Sequence, residues 1–455
     1  MRVLIALHQF FPEMSAGTEV LALNCGRELR QLGHEVAFFA STATVTVGDP
    51  SSVTAQTYDQ FTVFHLRHGS SALVNATSVS AADSSVLEGF RQAVQTFAPD
   101  IVHFMHFMRL TMSPLEVCTE LNIPAVVTPT DFWLLCPTAQ LRDPVAGNFC
   151  GGPTTQATNC IRHFAVESLP APLHRAAAAT PLAIYTLAVA LLPWMPQRFS
   201  QRAERAVELV DRIQQVRAHL TKVRYFFSPT EHIQRMLIGL GVQQERIGLV
   251  PYGVPTPALQ MQQKCAPRSA AAKALRIGFI GTFAEHKGAH VLLAALQQLP
   301  DADLHVRLYG GAQHYPKYAQ QLIELAGSDP RISFCGEFPA DDIDAILSQL
   351  DTLIIPSVWY ENTPLVMLSA LAAGCPIIAS NVAGMTDHLR HNVNSLLFDA
   401  GDCAGLAAQI ARMCNESGLH GRLCEHIDPP ATMANYVATL AARYAQLIPA
   451  AKVVQ

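Results

Sequence analysis

The sequence predicts an α/β protein with two doubly wound parallel-sheet domains. Short apolar runs alternate with helical stretches in both halves of the 455-residue chain. A stretch dense in proline and glycine separates the halves, Pro251-Tyr252-Gly253-Val254-Pro255-Thr256-Pro257 followed by polar sequence to Ser269. Alternating strands and helices make a parallel sheet covered on both faces. Such sheets account for much of the 50% hydrophobic content.

In chain order, Val3–Leu7 reads as a buried first strand. Residues 18–32 have helical spacing through Val20, Leu21, Leu23 and Leu29, and stop at Gly33. Residues 35–40, 101–104 and 125–128 are the next strands. In the second half, residues 276–280 are a strand, 281–288 a loop and 289–299 a helix. Residues 304–309 are a strand ending at Gly310-Gly311. Residues 352–355 are a strand, 364–373 a helix and 376–379 a strand. The expected domains are 1–255, with an insertion at about 136–222, and 270–430. Residues 431–455 are expected to form a helix returning to the first domain. Ligands bind outside the carboxyl ends of such sheets, so two facing sheets would hold them in the cleft between.

Composition removes several function classes. Lys and Arg number 31 against 36 Asp and Glu, a net charge of −5 with no basic cluster, which argues against nucleic acid. The apolar content excludes intrinsic disorder. Charged residues make up only 15%, below the usual quarter or so. That deficit concentrates in Ala176–Gln197, which contains no charge. Pro181, Pro193 and Pro196 interrupt it and leave residues 182–192 as a clean helix, too short to span a bilayer of about 20 residues. With Trp194, Arg175 and Arg198 at its flanks, it suits a helix lying in a membrane interface, with a buried helix or a partner contact as the other readings. Residues 202–222 read as an amphipathic helix.

The opening apolar run is too short for a signal peptide, and eleven scattered cysteines suit free thiols. The expected location is cytoplasmic and peripheral on the inner membrane face. Cys136, Cys150, Cys160 and His163 stand apart in a Gly/Pro/Thr-rich stretch, the last two spaced as a Cys-x-x-His hook. Three thiolates and an imidazole suit a structural tetrahedral zinc, and ordinary thiols in an irregular loop are the alternative.

The most informative segment runs from Pro356 through Ser357-Val358-Trp359-Tyr360-Glu361-Asn362-Thr363-Pro364 to Gly374. Thr363 suits the cap of the following helix, Pro364 its first turn and Gly374 its end. The first-turn N–H groups of that helix form an anion site suited to a diphosphate, with Glu361 just before it.

This segment resembles the C-terminal signature of retaining glycosyltransferases of family 4, which have the two-domain GT-B fold. The resemblance extends to Ser15-Ala16-Gly17-Thr18-Glu19, similar to a Gly-rich loop near the donor phosphates, and to Asp100-Ile101-Val102-His103. It includes Gly281-Thr282-Phe283-Ala284-Glu285-His286-Lys287-Gly288, similar to the loop that supplies a basic diphosphate contact. Ser380-Asn381-Val382-Ala383-Gly384, residues 394–398 and Gly401-Asp402 complete it. Residues 131–137 look like a subgroup with a cysteine-bearing insertion, in which a fourth cysteine often stands where His163 is.

The resemblance implies transfer from a nucleotide-diphosphate sugar to a glycan or lipid-linked acceptor, with retention and without a catalytic metal. Its catalytic group would comprise Glu361 on the sugar hydroxyls, Lys287 on the diphosphate, and His106 or His103 on the sugar. Donor contacts would come from Gly17, Thr18, Thr282, Lys287, Asn362, Thr363, Pro364, Leu365, Val366 and Ser369, with Asp131 and Gly384 nearby. The chain departs from the family pattern in four places. Ser369 stands where a ribose-binding Glu is usual, and Thr282 where Arg is frequent. Thr130 stands where many relatives have His, and His103-Phe104-Met105-His106 replaces His-x-His. A nucleotide-sugar epimerase on the same fold, or a non-catalytic scaffold, are the alternatives.

Overall fold

The structure is a computed structural model that describes residues 1–13, 16–41, 52–67, 78–79, 85–143, 149–191, 200–255, 274–313 and 315–449. The chain divides into two compact units. Unit 1 comprises Met1–Val250 with Val437–Gln455, and unit 2 comprises Pro251–Tyr436.

Unit 1 is built on a sheet of β1 (Arg2–Leu7), β2 (Glu35–Ser41), β3 (Ser52–Tyr58), β4 (Phe61–Arg67), β5 (Ile101–Phe104), β6 (Ala125–Val127), β7 (Tyr225–Ser228) and β8 (Ile247–Leu249). Their order is β3-β4-β2-β1-β5-β6-β7-β8. Every pairing is parallel except β3 with β4, which form an antiparallel hairpin at the edge. Asp59 and Gln60 close that hairpin with φ of 48° and 65°, the left-handed pair a tight two-residue turn requires. β1 lies at the middle, and Val3–Leu7 are fully buried because helices cover both faces.

Unit 2 is built on β9 (Leu275–Ile280), β10 (Leu304–Tyr309), β11 (Ile332–Gly336), β12 (Thr352–Ile355), β13 (Ile377–Ser380) and β14 (Ser395–Phe398). The order β11-β10-β9-β12-β13-β14 is wholly parallel and doubly wound. The helix Ala289–Gln297 buries Val291, Leu292, Leu293 and Leu296 into one core with the strands.

Each sheet reverses its winding beside its first strand, between β1 and β5 in unit 1 and between β9 and β12 in unit 2. At a switch point of this kind the connections leave in opposite directions and open a crevice at the strands' carboxyl ends. In unit 1 those ends carry His8, Gln9 and Met105–Arg109; in unit 2 they carry Gly281–Gly288 and Pro356–Pro364.

The insertion lies between β6 and β7 and contains the helices Thr158–Ser168, Ala171–Ala179, Leu182–Leu191 and Ser200–Leu220. Leu182–Leu191 buries none of its residues, and Ile184, Leu187 and Leu191 are each more than half exposed. Residues 192–199, including Trp194 and Arg198, lie outside the described residues. Among the described residues no helix is long and apolar enough to cross a membrane.

The last helix, Met433–Leu447, has its first turn in unit 2 and the rest in unit 1. The interdomain stretch is held in part: Val254 bonds Ala431 and Met433 through its backbone, at 2.9 and 2.6 Å. Residues 256–273, most of the expected linker, lie outside the described residues.

Candidate functional site

In unit 2 the site is assembled where the loops after β9 and β12 meet. Lys287 closes the 3₁₀ turn Glu285–Lys287, and Gly288 follows with φ 76°. A Cβ on Gly288 would fall 1.8 Å from the Pro356 carbonyl oxygen, so only glycine allows this approach. The Val358 N–H donates to the His286 carbonyl at 2.9 Å, fixing the two loops together.

Glu361 is buried between them. Its Oε1 accepts from Lys287 Nζ at 2.8 Å, Ser357 Oγ at 2.7 Å and Trp359 Nε1 at 2.8 Å. Oε2 receives none of these bonds and keeps its lone pairs. Burial pushes the Glu361 carboxyl up, but the Lys287 charge and the three hydrogen bonds outweigh it and hold the group below its ordinary value. Lys287 Nζ also sits 4.9 Å over the Trp359 ring, whose other neighbour is His286 at 4.2 Å between centroids. Gly384 has φ 83°, and a Cβ there would lie 1.8 Å from the Glu361 carbonyl oxygen and 2.8 Å from that of Asn362. Asn362 Nδ2 donates to the Tyr252 hydroxyl at 3.1 Å.

The helix that follows is Leu365–Ala372, one residue shorter at each end than the sequence suggests. Pro364, not Thr363, is its N-cap residue, and no side chain caps it. The Thr363 hydroxyl instead donates to the Asn362 carbonyl at 2.5 Å. Met367 and Leu368 bond back to Pro364, while the N–H groups of Leu365 and Val366 have no partner among the described residues. Uncapped helix N–H groups of this kind form an anion site.

Ser369 lies one turn into the same helix. Its hydroxyl donates to the Leu365 carbonyl one turn back, at 3.1 Å, the usual fate of a mid-helix serine. Thr282 is exposed and its hydroxyl has no partner among the described residues.

In unit 1 the elements converge on His106 and Asp131. The Met108 N–H donates to His106 Nδ1 at 3.0 Å, so the ring proton lies on Nε2 and is donated to Asp131 Oδ2 at 2.5 Å. Asp131 Oδ1 accepts the Trp133 N–H at 2.8 Å. Thr18 Oγ1 donates to Thr130 Oγ1, which donates to the Met105 carbonyl, both at 2.9 Å. These bonds tie the start of the helix Gly17–Gln31 to the ends of β5 and β6. Around Gly17 an added Cβ would meet nothing within 4 Å. Ser15 lies outside the described residues.

His103 belongs to the core rather than to this group. It lies inside β5, with Nδ1 bonded to the Tyr444 hydroxyl at 2.6 Å and Nε2 to Thr128 Oγ1 at 2.7 Å. Complete burial lowers its pKa to about 3, so it stays neutral.

Of the expected zinc quartet, Cys150 and Cys160 lie close enough to Cys136, and Cys160 to Cys150, for their charges to interact. Among the described residues no group of three His, Cys, Asp or Glu side chains could hold a metal. Cys136 Sγ pairs with the Thr138 hydroxyl at 3.3 Å, Cys150 Sγ donates to the Gly152 carbonyl at 3.5 Å, and His163 stacks on Phe164. The guanidinium of the buried Arg212 lies close enough for Cys136 and Cys160 to influence its charge. Cys160 and His163 share the helix Thr158–Ser168, a local neighbourhood that the spacing alone suggests is a ligand pair.

Sequence reasoning also passes over four residues that cluster at the unit 1 switch point: His8, Gln9, Glu19 and Arg109. His8 packs on His106 at 4.1 Å between ring centroids. The local signal for His8 and Gln9 is their position directly after the buried run Val3–Leu7.

Residues 274–416 match the family described as Glycosyl transferases group 1. Among curated proteins, the chain is 30% identical over 176 residues to a D-inositol 3-phosphate glycosyltransferase of Corynebacterium urealyticum, covering 37% of this chain and 39% of that protein. It is 32% identical over 142 residues to a 2-deoxystreptamine glucosyltransferase of Streptomyces kanamyceticus, covering 31% and 36%. The chain thus spans about two fifths or less of the length of these curated relatives. Among solved structures, a glycosyltransferase from Rickettsia africae aligns with a TM-score of 0.63 at 13% identity, covering 99% of both chains. Anabaena HepE in complex with UDP and glucose aligns with a TM-score of 0.59 at 16% identity, covering 97% of this chain and 99% of that one. At such identities the likeness establishes the fold, GT-B with two parallel-sheet α/β domains.

Proposed function

We propose that this chain is a glycosyltransferase that binds a nucleotide-diphosphate sugar in unit 2 and transfers its sugar, with retention, to a glycan or glycolipid acceptor. One observation carries this reading. The Lys287 ammonium, the free N–H groups of Leu365 and Val366, and the open Oε2 of Glu361 lie at one switch point. The cationic and N–H groups suit a diphosphate, and the carboxylate oxygen suits sugar hydroxyls.

As the glycosidic bond breaks, negative charge gathers on the leaving diphosphate. Donors fixed in advance at that position stabilise the developing charge. Lys287 and the helix start would supply this without a divalent ion. Glu361 would accept hydrogen bonds from the transferred sugar, and its three donors keep it ionised and in place for that task. His106, fixed as the Nε2–H tautomer by Met108 and Asp131, would contact the sugar. Ser369 would hold the ribose weakly, because its hydroxyl is already engaged.

The insertion supports a peripheral membrane location. Between Glu167 and Glu204 the sequence has no acidic residue and carries Arg175, Arg198 and Arg202, and the uncharged helix Leu182–Leu191 lies exposed among them. An apolar helix flanked by arginines suits an anionic lipid surface.

A panel of UDP-, GDP-, ADP- and dTDP-sugars, assayed for release of the nucleoside diphosphate with a glycan extract as acceptor, tests the reading. Release that depends on acceptor and disappears in Glu361→Gln supports it; no release from any donor refutes it. Co-sedimentation with anionic vesicles, lost in Leu187→Glu, tests the membrane part.

A further inference from the structure

The unit 1 switch point holds a polar cluster that the transfer chemistry above does not use. Arg109 stands in the segment that leaves β5, with its backbone at φ 62°. A non-glycine residue in the left-handed region carries strain, which persists where the surroundings hold it for a purpose. Its guanidinium is half-buried, and the only bond it makes among the described residues is from Nη1 to Gln9 Oε1, at 3.0 Å. No carboxylate lies within 4 Å of it among the described residues.

A desolvated cation held by one neutral amide is incomplete, because burying a charge costs unless an opposite charge compensates it. Burial lowers the Arg109 pKa, and the charge of Glu19 offsets this only in part. The acid whose charge reaches it is Glu19, wholly buried at the start of the helix Gly17–Gln31, where Oε2 accepts the Ala16 N–H at 2.8 Å. Burial raises Glu19, so it is a poor counter-ion. Its Oε1 and the neighbouring His8 Nδ1 are buried without hydrogen-bond partners, although His8 Nε2 lies 3.7 Å from Oε1. Buried polar atoms are nearly always satisfied, so these two point to a polar ligand or its water.

We infer that Arg109, oriented by Gln9, is an oxyanion-binding residue of the acceptor site, and that the acceptor sugar carries a phosphate or a carboxylate. The planar guanidinium offers a bidentate face to either group. Gln9 fixes that face through Nη1 and leaves the rest of the fork for the ligand. Glu19 and His8 then suit the hydroxyls of the same sugar. The inference rests on the glycosyl-transfer reading, since it specifies which acceptor the chain would use.

Direct binding tests it without relying on turnover. The full chain is titrated with glucose, glucose 6-phosphate and glucuronate, which share a ring and differ in anionic group. The expected result is that one or both anionic sugars bind roughly tenfold or more tighter than glucose. Whichever of the two binds tighter identifies the anion. Arg109→Gln removes that preference, Arg109→Lys keeps part of it, and Lys287→Met leaves it intact. Circular dichroism and thermal melts of the same samples check that each variant is folded; if Arg109→Gln is not, Arg109→Lys together with Gln9→Ala must weaken the preference. Equal binding of all three sugars by the native chain overturns the inference. So does a preference that survives Arg109→Gln, or one that Lys287→Met abolishes, which would place the anion in unit 2. A chain that binds an anionic sugar through Arg109 but no nucleotide sinks the transfer reading and not this site. A chain that binds UDP but prefers no anion does the reverse.

Discussion

Lys287 Nζ lies 2.8 Å from Oε1 of Glu361, joining residues 74 positions apart, and the carboxylate it meets is almost fully buried. The pair does two things at once. It ties the β9 loop to the β12 loop, and it keeps a carboxylate ionised where burial alone would neutralise it.

Removing the cation while leaving the acid should therefore be costly. Lys287→Met strands a buried carboxylate, and about 3 kcal/mol of stability is expected to go at neutral pH. The sign with pH follows from the lowered Glu361 value. Its stabilisation is complete above the ordinary carboxylate pKa and is lost as pH falls through the depressed folded value. The gap between native chain and variant in urea unfolding should thus narrow in acid. Glu361→Gln keeps the shape and removes the charge; it should fold and lose on the order of 10²–10³ in turnover.

Two glycines of the site should behave oppositely. Gly384→Ala places a Cβ against the Glu361 carbonyl at φ 83°, so both stability and donor binding should fall. At Gly17 a Cβ meets nothing within 4 Å, so Gly17→Ala should keep its Tm. If the donor phosphates approach there, the donor KM of Gly17→Ala rises with Tm unchanged. Thermal melts beside donor titrations separate the two effects.

His103 gives a pH prediction of its own. Its folded pKa of about 3 lies below the ordinary 6.5. The neutral ring contributes fully above 6.5, and that contribution is lost as pH falls towards 3, at about 1.4 kcal/mol per pH unit. His103→Phe should flatten the acid limb of the stability curve by up to that slope. Tyr444→Phe leaves Nδ1 unpartnered and should cost about 1–3 kcal/mol.

Which parts were legible in the sequence follows from burial. β1, β5, β9 and β12 are central strands, so apolar residues dominate each, interrupted within them by His103 in β5 and Arg276 in β9. Edge strands have no such signature: β3 is Ser-Val-Thr-Ala-Gln-Thr-Tyr and mostly exposed, and β11 is exposed as well. Glu361 and Lys287 stand in segments whose strand, loop and helix order is visible. That they touch depends on two loops meeting in space, whereas Ser357 and Trp359 complete the carboxylate's shell from within its own loop. The two histidines separate by a single fact, the end of β5 at Phe104: His103 lies within the strand and His106 beyond it. Arg109 carries no local sign, since its partner Gln9 is 100 positions away.

Ser369 offers a check on the helix itself. Its hydroxyl is spent on Leu365, so Ser369→Ala should change the donor KM by less than about twofold. Ser369→Glu projects a carboxylate from the same turn. Tighter donor binding in that variant, measured against the bare diphosphate, would show the ribose beside this position.

The central claim is that the Lys287–Glu361 site in unit 2 holds a nucleoside diphosphate. Calorimetric titration of the full chain with UDP, GDP, ADP and dTDP, in the native form and in Lys287→Met, measures it most directly. The account predicts saturable binding of at least one of the four, weakened tenfold or more by Lys287→Met, about what one charge-assisted contact provides. Binding of none of them, or binding that Lys287→Met leaves unchanged, would contradict it.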